Sequence, residues 1–361
     1  MKPRHLQQLR RYPRHAIWEI TRACNLRCIH CEGSAGARGQ DELTTDEALA
    51  LCDALISMGC EQCNISGGEP LLRKDWPMLC KRLSHGGVRV TIVTNGTFLD
   101  DSAIDQAERA GVRGVAMSLD GLRDTHGRIR PQPKGSSFDD VAAALRRVRA
   151  SCMAPAIITH INRWNFAELE GIHALLGIWG VDHWQLQLGL PLGRQLEIDQ
   201  PYMISREQLR ALGPRLTALI QSGASPRLRI TDTIGYFDRC EPVLRRSSSG
   251  KSGFYTGCYA GMLTVGIESN GDVKGCSSMP AEFIAGNVRE TPFNEIWADE
   301  YRFAYNTHWD DAKLTGFCAT CSYRRLCRAG CTTLAWSLTG TIYENPYCLH
   351  RIASLRGEDA P

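Results

Sequence analysis

Cys24, Cys28 and Cys31 stand in one short run, Cys24-Asn-Leu-Arg-Cys28-Ile-His-Cys31, directly after the apolar segment Ala16-Ile-Trp-Glu-Ile-Thr21. Three thiolates at spacings of four and three can grip three irons of a cubane cluster from a single loop. Four cysteines are the usual way to hold such a cluster, so a compact set of three leaves one iron for a ligand that is not protein. A C-x2-C pair alone would serve zinc equally well.

A second concentration of thiols lies near the other end: Cys258, Cys276, Cys318-x2-Cys321-x5-Cys327-x3-Cys331 and Cys348. Cys318, Cys321, Cys327 and Cys331 could make a four-thiolate zinc knuckle, but zinc would leave Cys258, Cys276 and Cys348 unexplained. The chain has sixteen cysteines in all. Disulfides are rare in reducing cytosol, so metal is the favoured use of them. Cys60-x2-Cys63 is read as a pair of buried thiols, because no second pair lies nearby and one member enters a strand.

The elements that must position these groups alternate. Helices are expected over 43–58, 76–84, 101–110, 138–150, 166–178 and 205–221, and strands over 16–21, 62–66, 88–94, 114–119, 156–161 and 184–188. Six strand-then-helix units predict parallel strands covered by helices, with ligands at the C-terminal strand ends. Gly67-Gly68-Glu69-Pro70 falls at one such end, Asn95-Gly96 at the next, and Ser118 and Asp120 at the fourth. The fifth strand adds His160, Asn162 and Asn165 as pocket residues, and the sixth Gln185 and Gln187. His160 is read as a hydrogen-bonded core histidine. Past the serine- and glycine-rich stretch Arg245–Gly257, the segments 262–267 and 273–276 read as a hairpin with Cys276 on its second strand.

Forty-two Lys and Arg against thirty-nine Asp and Glu give +3 with the signs interspersed, which points to neither a nucleic-acid nor a membrane partner. No signal peptide or bilayer-spanning run is read, and a cytoplasmic location is expected.

The three-cysteine run followed by the Gly-Gly-Glu turn resembles the radical S-adenosylmethionine (radical SAM) superfamily, and the seven-cysteine pattern resembles its SPASM domain. The resemblance implies a partial (β/α)6 TIM-type barrel followed by a small cysteine-rich domain with a β-hairpin. The divisions expected are an N-terminal extension over 1–15, the barrel over 16–240, a linker over 241–257, the SPASM domain over 258–350 and a tail over 351–361. It further implies a [4Fe-4S] cluster at Cys24, Cys28 and Cys31 whose open iron binds S-adenosylmethionine, with Gly67, Gly68, Glu69, Asn95, Ser118 and Arg130 facing that cofactor. In the family Glu69 would accept from the methionyl amino group, and Arg130 would meet the carboxylate. Cys318, Cys321, Cys327 and Cys348 would hold an outer auxiliary cluster, and Cys258, Cys276 and Cys331 an inner one, with Cys240 as the nearby spare for a fourth ligand.

Most SPASM-bearing relatives modify peptides, so the expected activity is radical modification of a ribosomally made peptide by cross-linking, oxidation or epimerisation. Modification of a small molecule or tetrapyrrole is the alternative, and a non-catalytic electron-transfer protein is the reading from another class. Intact Gly67, Gly68 and Glu69 weigh against the last. Sulfatase maturases place an aspartate base after the cysteine matching Cys276, and here Ser277 stands there. Only fifteen residues precede the first expected strand, so a separate small recognition protein is an expected partner, with an external donor such as flavodoxin or ferredoxin. No residue is assigned as general base.

Overall fold

The computed structural model describes residues 11–246 and 251–354. The outer parts of the expected extension (1–10) and tail (355–361), and 247–250 of the expected linker, lie outside the described residues.

The six expected units form. Strands β1 (His15–Glu19), β2 (Gln62–Ser66), β3 (Arg89–Thr94), β4 (Gly114–Ser118), β5 (Ala154–Ile161) and β6 (His183–Leu188) pair in parallel, each with the next. Helices α1 (Thr45–Ser57), α2 (Trp76–His85), α3 (Asp101–Arg109), α4 (Arg123–Ile129), α5 (Ser137–Ala150), α6 (Leu169–Ile178) and α7 (Arg206–Gln221) connect them. Helix α1 starts on a capping box: Thr44 Oγ1 accepts from the Glu47 amide and the Glu47 carboxylate accepts from the Thr44 amide. The chain then adds a seventh parallel strand that the sequence reading lacks, β7 (Arg227–Ile230), at the open edge beside β6.

The period of two sets what the barrel encloses. On β1, Ala16 and Trp18 are buried against the helix layer, while His15, Ile17 and Glu19 face inward. On β6, Trp184 and Leu186 pack outward, and His183, Gln185 and Gln187 face inward. Burying side chains the size of Trp18 or Trp184 stabilises the fold by roughly 1.5–3 kcal/mol each. The hydrocarbon core therefore lies between strands and helices, and the interior stays hollow, lined by polar and apolar side chains together.

The hairpin expected after residue 258 extends the barrel sheet. Strand β8 (Thr264–Ile267) pairs in parallel with β1, β9 (Asp272–Lys274) returns antiparallel, and β10 (Gly286–Asn287) follows. Among the described residues one sheet runs β10-β9-β8-β1-β2-β3-β4-β5-β6-β7. Cys276 lies two residues beyond β9 rather than on it. Parts of the expected linker are well packed: Glu241 and Tyr255 are buried, and the Tyr255 amide donates to Glu241 Oε1 at 2.9 Å. No helix among the described residues is long and apolar enough to cross a membrane.

Candidate active site

Cys24, Cys28 and Cys31 line one cavity of about 1390 Å³ at the C-terminal ends of the strands. Each sulfur meets a protein N–H: Asn95 Nδ2 lies 3.9 Å from Cys24, Arg130 NH1 3.6 Å from Cys28, and the Ala35 amide 3.4 Å from Cys31. Burial pushes the Cys24 thiol up to about 11, and it raises Cys28 despite the Arg130 guanidinium beside it. Such thiols ionise when a metal supplies the compensating charge. Three sulfurs on one cavity wall, each with a donor, are a donor set that suits an iron–sulfur cluster.

The loop is clamped from a segment far along the chain. Arg194 donates to Cys28 O at 2.7 Å and to Ala35 O at 2.6 Å, and its amide donates to Cys31 O at 3.0 Å. Nothing in the spacing of the sequence marked Arg194, because its role is to satisfy carbonyls that only the fold brings within reach.

At the Gly-Gly-Glu turn the reading needs correction. Gly67 and Gly68 do line the cavity, but what a side chain would strike there is protein: a Cβ on Gly67 would overlap Thr21 O, and one on Gly68 would overlap Ala23 O. The Gly68 and Glu69 amides donate to those same two carbonyls, each at 2.7 Å. Glycine is needed here for docking of the turn onto the cluster loop. Glu69 is wholly buried behind that wall, accepting from Thr94 Oγ1, the Asn95 amide and the Leu71 amide. Burial pushes its carboxyl up to about 7. Its oxygens brace the ends of β2 and β3, and the contact expected between Glu69 and the methionyl amino group is not one this geometry offers.

Asn95 lines the cavity and donates to Asn25 Oδ1 at 2.8 Å, holding the cluster loop from β3. Ser118 lines it at the end of β4. Arg130 is in place: its Nε donates to Asp120 Oδ2 at 2.6 Å, beside Cys28. Arg128 points elsewhere, 3.6 Å over the Trp164 ring. Burial opposes ionisation of Asp120, but Arg130, His30 and His160 outweigh it and hold the carboxyl well below the usual range. His30 Nε2 lies 3.3 Å from Asp120 Oδ2. His160 faces the cavity 2.7 Å from Gln187 Nε2, whereas Asn162 and Asn165 are fully buried, Asn162 bonded within its own turn and Asn165 donating to His160 O and to Asp120 O at the end of β4. Those two asparagines are therefore removed from the pocket, and Gln185 and Gln187 stay in it. Cys60 and Cys63 are buried thiols, as expected.

Glu19 is the residue most clearly missed. It faces the cavity at the end of β1, among Lys274, Glu268, Glu32 and Arg22, and burial pushes its carboxyl up to about 7. Lys274 Nζ is taken by Glu268 Oε1 at 2.5 Å. The period of two on β1 would have placed Glu19 inward.

The later cysteines separate into two sites. Cys318, Cys321, Cys327 and Cys348 line one small pocket. Cys258, Cys276 and Cys331 open on the main cavity, and Cys258 and Cys276 are electrostatic neighbours of Cys331. Cys240 belongs to neither. It is buried against Gly213 on α7, so it is not the spare ligand of the inner set.

Residues 18–176 match the radical SAM superfamily, and residues 258–322 match the SPASM iron–sulfur cluster-binding domain. The chain is 31% identical to an AdoMet-dependent heme synthase of Methanosarcina barkeri over 94% of its own length and 97% of that protein's. It is 28% identical to the mycofactocin maturase MftC of Mycobacterium ulcerans over 91% and 85%. Streptococcus suis SuiB bound to S-adenosylmethionine superposes with a TM-score of 0.74 at 16% identity, covering 93% of this chain and 77% of that one, a likeness of fold.

Proposed function

Since the chain belongs to the radical SAM superfamily and carries its SPASM domain, we propose that it modifies a ribosomally made peptide by a radical reaction in the barrel mouth. The observation that carries this reading is the shape and lining of the cavity. It runs from residues 227–233, on and just after the end strand β7, past the cluster loop to Cys276 and Ser277. Arg245 takes the Ile230 and Thr231 carbonyls at the β7 edge, so it is the inner face of β6, with Gln185 and Gln187, that offers amide partners to an extended chain. The likeness to the maturase MftC supports the same substrate class.

The three groupings support the proposed ligand sets: Cys24, Cys28 and Cys31 for the cluster that binds S-adenosylmethionine, Cys258, Cys276 and Cys331 for the inner auxiliary cluster, and Cys318, Cys321, Cys327 and Cys348 for the outer one. When bound, these groups supply a hydrogen-abstracting carbon radical and a path for one electron. The protein does the rest. Gly67 and Gly68 form the backbone wall, and Asn95, Ser118 and Arg130 face the cofactor. Burial in the barrel mouth limits water. Glu19, half-titrated near neutrality, takes the proton that the substrate loses, which is the task Ser277 cannot perform.

A second reading, modification of an iron tetrapyrrole, is favoured by the M. barkeri heme synthase relative, and Arg227 and Arg229 in the cavity wall suit its carboxylates. The test is mass spectrometry after anaerobic incubation of the reconstituted enzyme with S-adenosylmethionine and reductant, offered either short peptides encoded beside its gene or Fe-coproporphyrin III. A peptide lighter by two hydrogens, or carrying one solvent deuterium at carbon, supports the first reading. A changed porphyrin with unchanged peptides replaces it. Cys28→Ala should abolish S-adenosylmethionine cleavage in both assays.

A further inference from the structure

Two phenol oxygens beside the inner three-cysteine site are buried, with protons that the protein leaves unplaced. Tyr255, three residues before Cys258, is 3% exposed, and its hydroxyl has no hydrogen-bond partner among the described residues. Cys258, the Asp232 carboxylate, Tyr236 and Cys331 are the ionisable groups that act on it. Tyr305, half-buried on the short helix Ala304–Thr307, likewise has its hydroxyl oxygen buried without a well-formed hydrogen bond. Cys258, Cys276 and Arg11 are the ionisable groups that act on it.

The packing fixes where these hydroxyls sit. Gly275, immediately before Cys276, is small because a Cβ there would overlap the Tyr305 hydroxyl oxygen. The Gly275 amide approaches that oxygen, which can only accept from it, so the phenol proton is still to be placed. Asn306, next to Tyr305, donates to Cys258 O at 3.1 Å and Ala260 O at 2.7 Å, tying the helix to the cysteine segment. The Tyr255 ring meets Tyr236 edge-on, with centroids 5.0 Å apart. Tyr236 is the internal contrast: its hydroxyl donates to Asp232 O and accepts from the Cys331 amide at 3.0 Å, so it is fully used by protein.

An unsatisfied buried hydroxyl is costly, and folds rarely retain one without an acceptor. Asp232 is within electrostatic reach of Tyr255 alone, so the acceptor that the two hydroxyls have in common is the sulfur of the three-cysteine site. We infer that Tyr255 and Tyr305 donate O–H···S hydrogen bonds to the inner auxiliary cluster or its thiolates and thereby raise its reduction potential. The physical basis is that hydrogen bonds to sulfur stabilise the reduced, more negative cluster. This rests on the proposed ligation by Cys258, Cys276 and Cys331. The outer site differs: Cys321 and Cys348 receive backbone amides, from Tyr323 at 3.4 Å and Arg351 at 3.5 Å.

The test is an anaerobic potentiometric titration of the reconstituted full-length enzyme followed by electron paramagnetic resonance, with the inner-cluster signal identified as the one that Cys258→Ala removes. Tyr255→Phe and Tyr305→Phe should each move that midpoint negative, on the order of tenfold in the one-electron equilibrium or about 59 mV, and leave the other two unmoved. Fluorotyrosine placed at 255 or 305, a stronger donor of the same shape, should move it positive. An unmoved midpoint in the Phe variants at full iron content overturns the inference. If a Phe variant loses iron, the fluorotyrosine proteins decide: a positive shift sustains the inference, and no shift overturns it. Retention of every signal in Cys258→Ala instead overturns the ligand assignment beneath it.

Discussion

The two three-cysteine sites share one cavity and are built on opposite plans. Around Cys24, Cys28 and Cys31, ligands close in sequence are surrounded by fixed charge: Arg130 sits on Cys28 with Asp120 as its counterion, and Arg194 fastens the loop carbonyls. Around Cys258, Cys276 and Cys331, ligands from three distant segments meet neutral donors, two phenols and backbone amides, with the Asp232 carboxylate nearby. A site held by charge is finished before its cofactor arrives. One lined by unpartnered hydroxyls is finished by the cofactor itself.

The sharpest way to break that contrast is Arg130→Leu. It strands Asp120 in the interior, so the protein should lose about 3–5 kcal/mol in denaturant unfolding and lose S-adenosylmethionine binding, while Asp120→Asn/Arg130→Leu should recover most of the stability. Normal cofactor binding in the single variant would show that fixed charge is dispensable at the first site. Gly68→Ala comes next. Its methyl group would collide with Ala23 O, so iron analysis should show loss of the first cluster with both auxiliary clusters retained; equal loss at all three would mean that the sites are not separable.

A smaller, graded effect belongs to Glu19. With its carboxyl pushed up to about 7, the folded protein keeps a proton that the unfolded chain releases in the ordinary carboxylate range. The folded state binds more protons across that window, so stability falls as pH rises through it and levels off above. Glu19→Gln should flatten the profile in anaerobic urea unfolding between about pH 5 and about pH 8. Identical slopes in the two proteins would place Glu19 in water. The least effect is expected from Cys240→Ser, which should leave the iron content and all three signals unchanged.

What could be read in advance follows the same division. Helices α1, α2, α3, α5, α6 and α7 and strands β1–β6 carry apolar periods long enough to see, and the cluster cysteines declare themselves by spacing. Strand β7 did not, because Arg227-Leu-Arg-Ile is short, charged and at an edge, where alternation means little. Helix α4 is hidden for a related reason: its seven residues bury only His126 and Ile129, too few for a visible apolar period. Cys240 stands near the later cysteines in sequence but packs on α7, which spacing cannot show. Tyr255 and Tyr305 could not have been found at all, since what distinguishes them is a missing partner.

The placement of β1 between β2 and β8 also bears on how the chain is made. During synthesis β1 has one ladder completed early, when Gln62–Ser66 emerges, and the other only when Thr264–Ile267 follows. Through most of synthesis it must stand with a bare edge, the kind of surface on which nascent chains aggregate. A truncation before residue 264 would keep the barrel's own strands yet leave that edge permanently open, so the later cysteine-rich segment serves the earlier barrel as its covering strand.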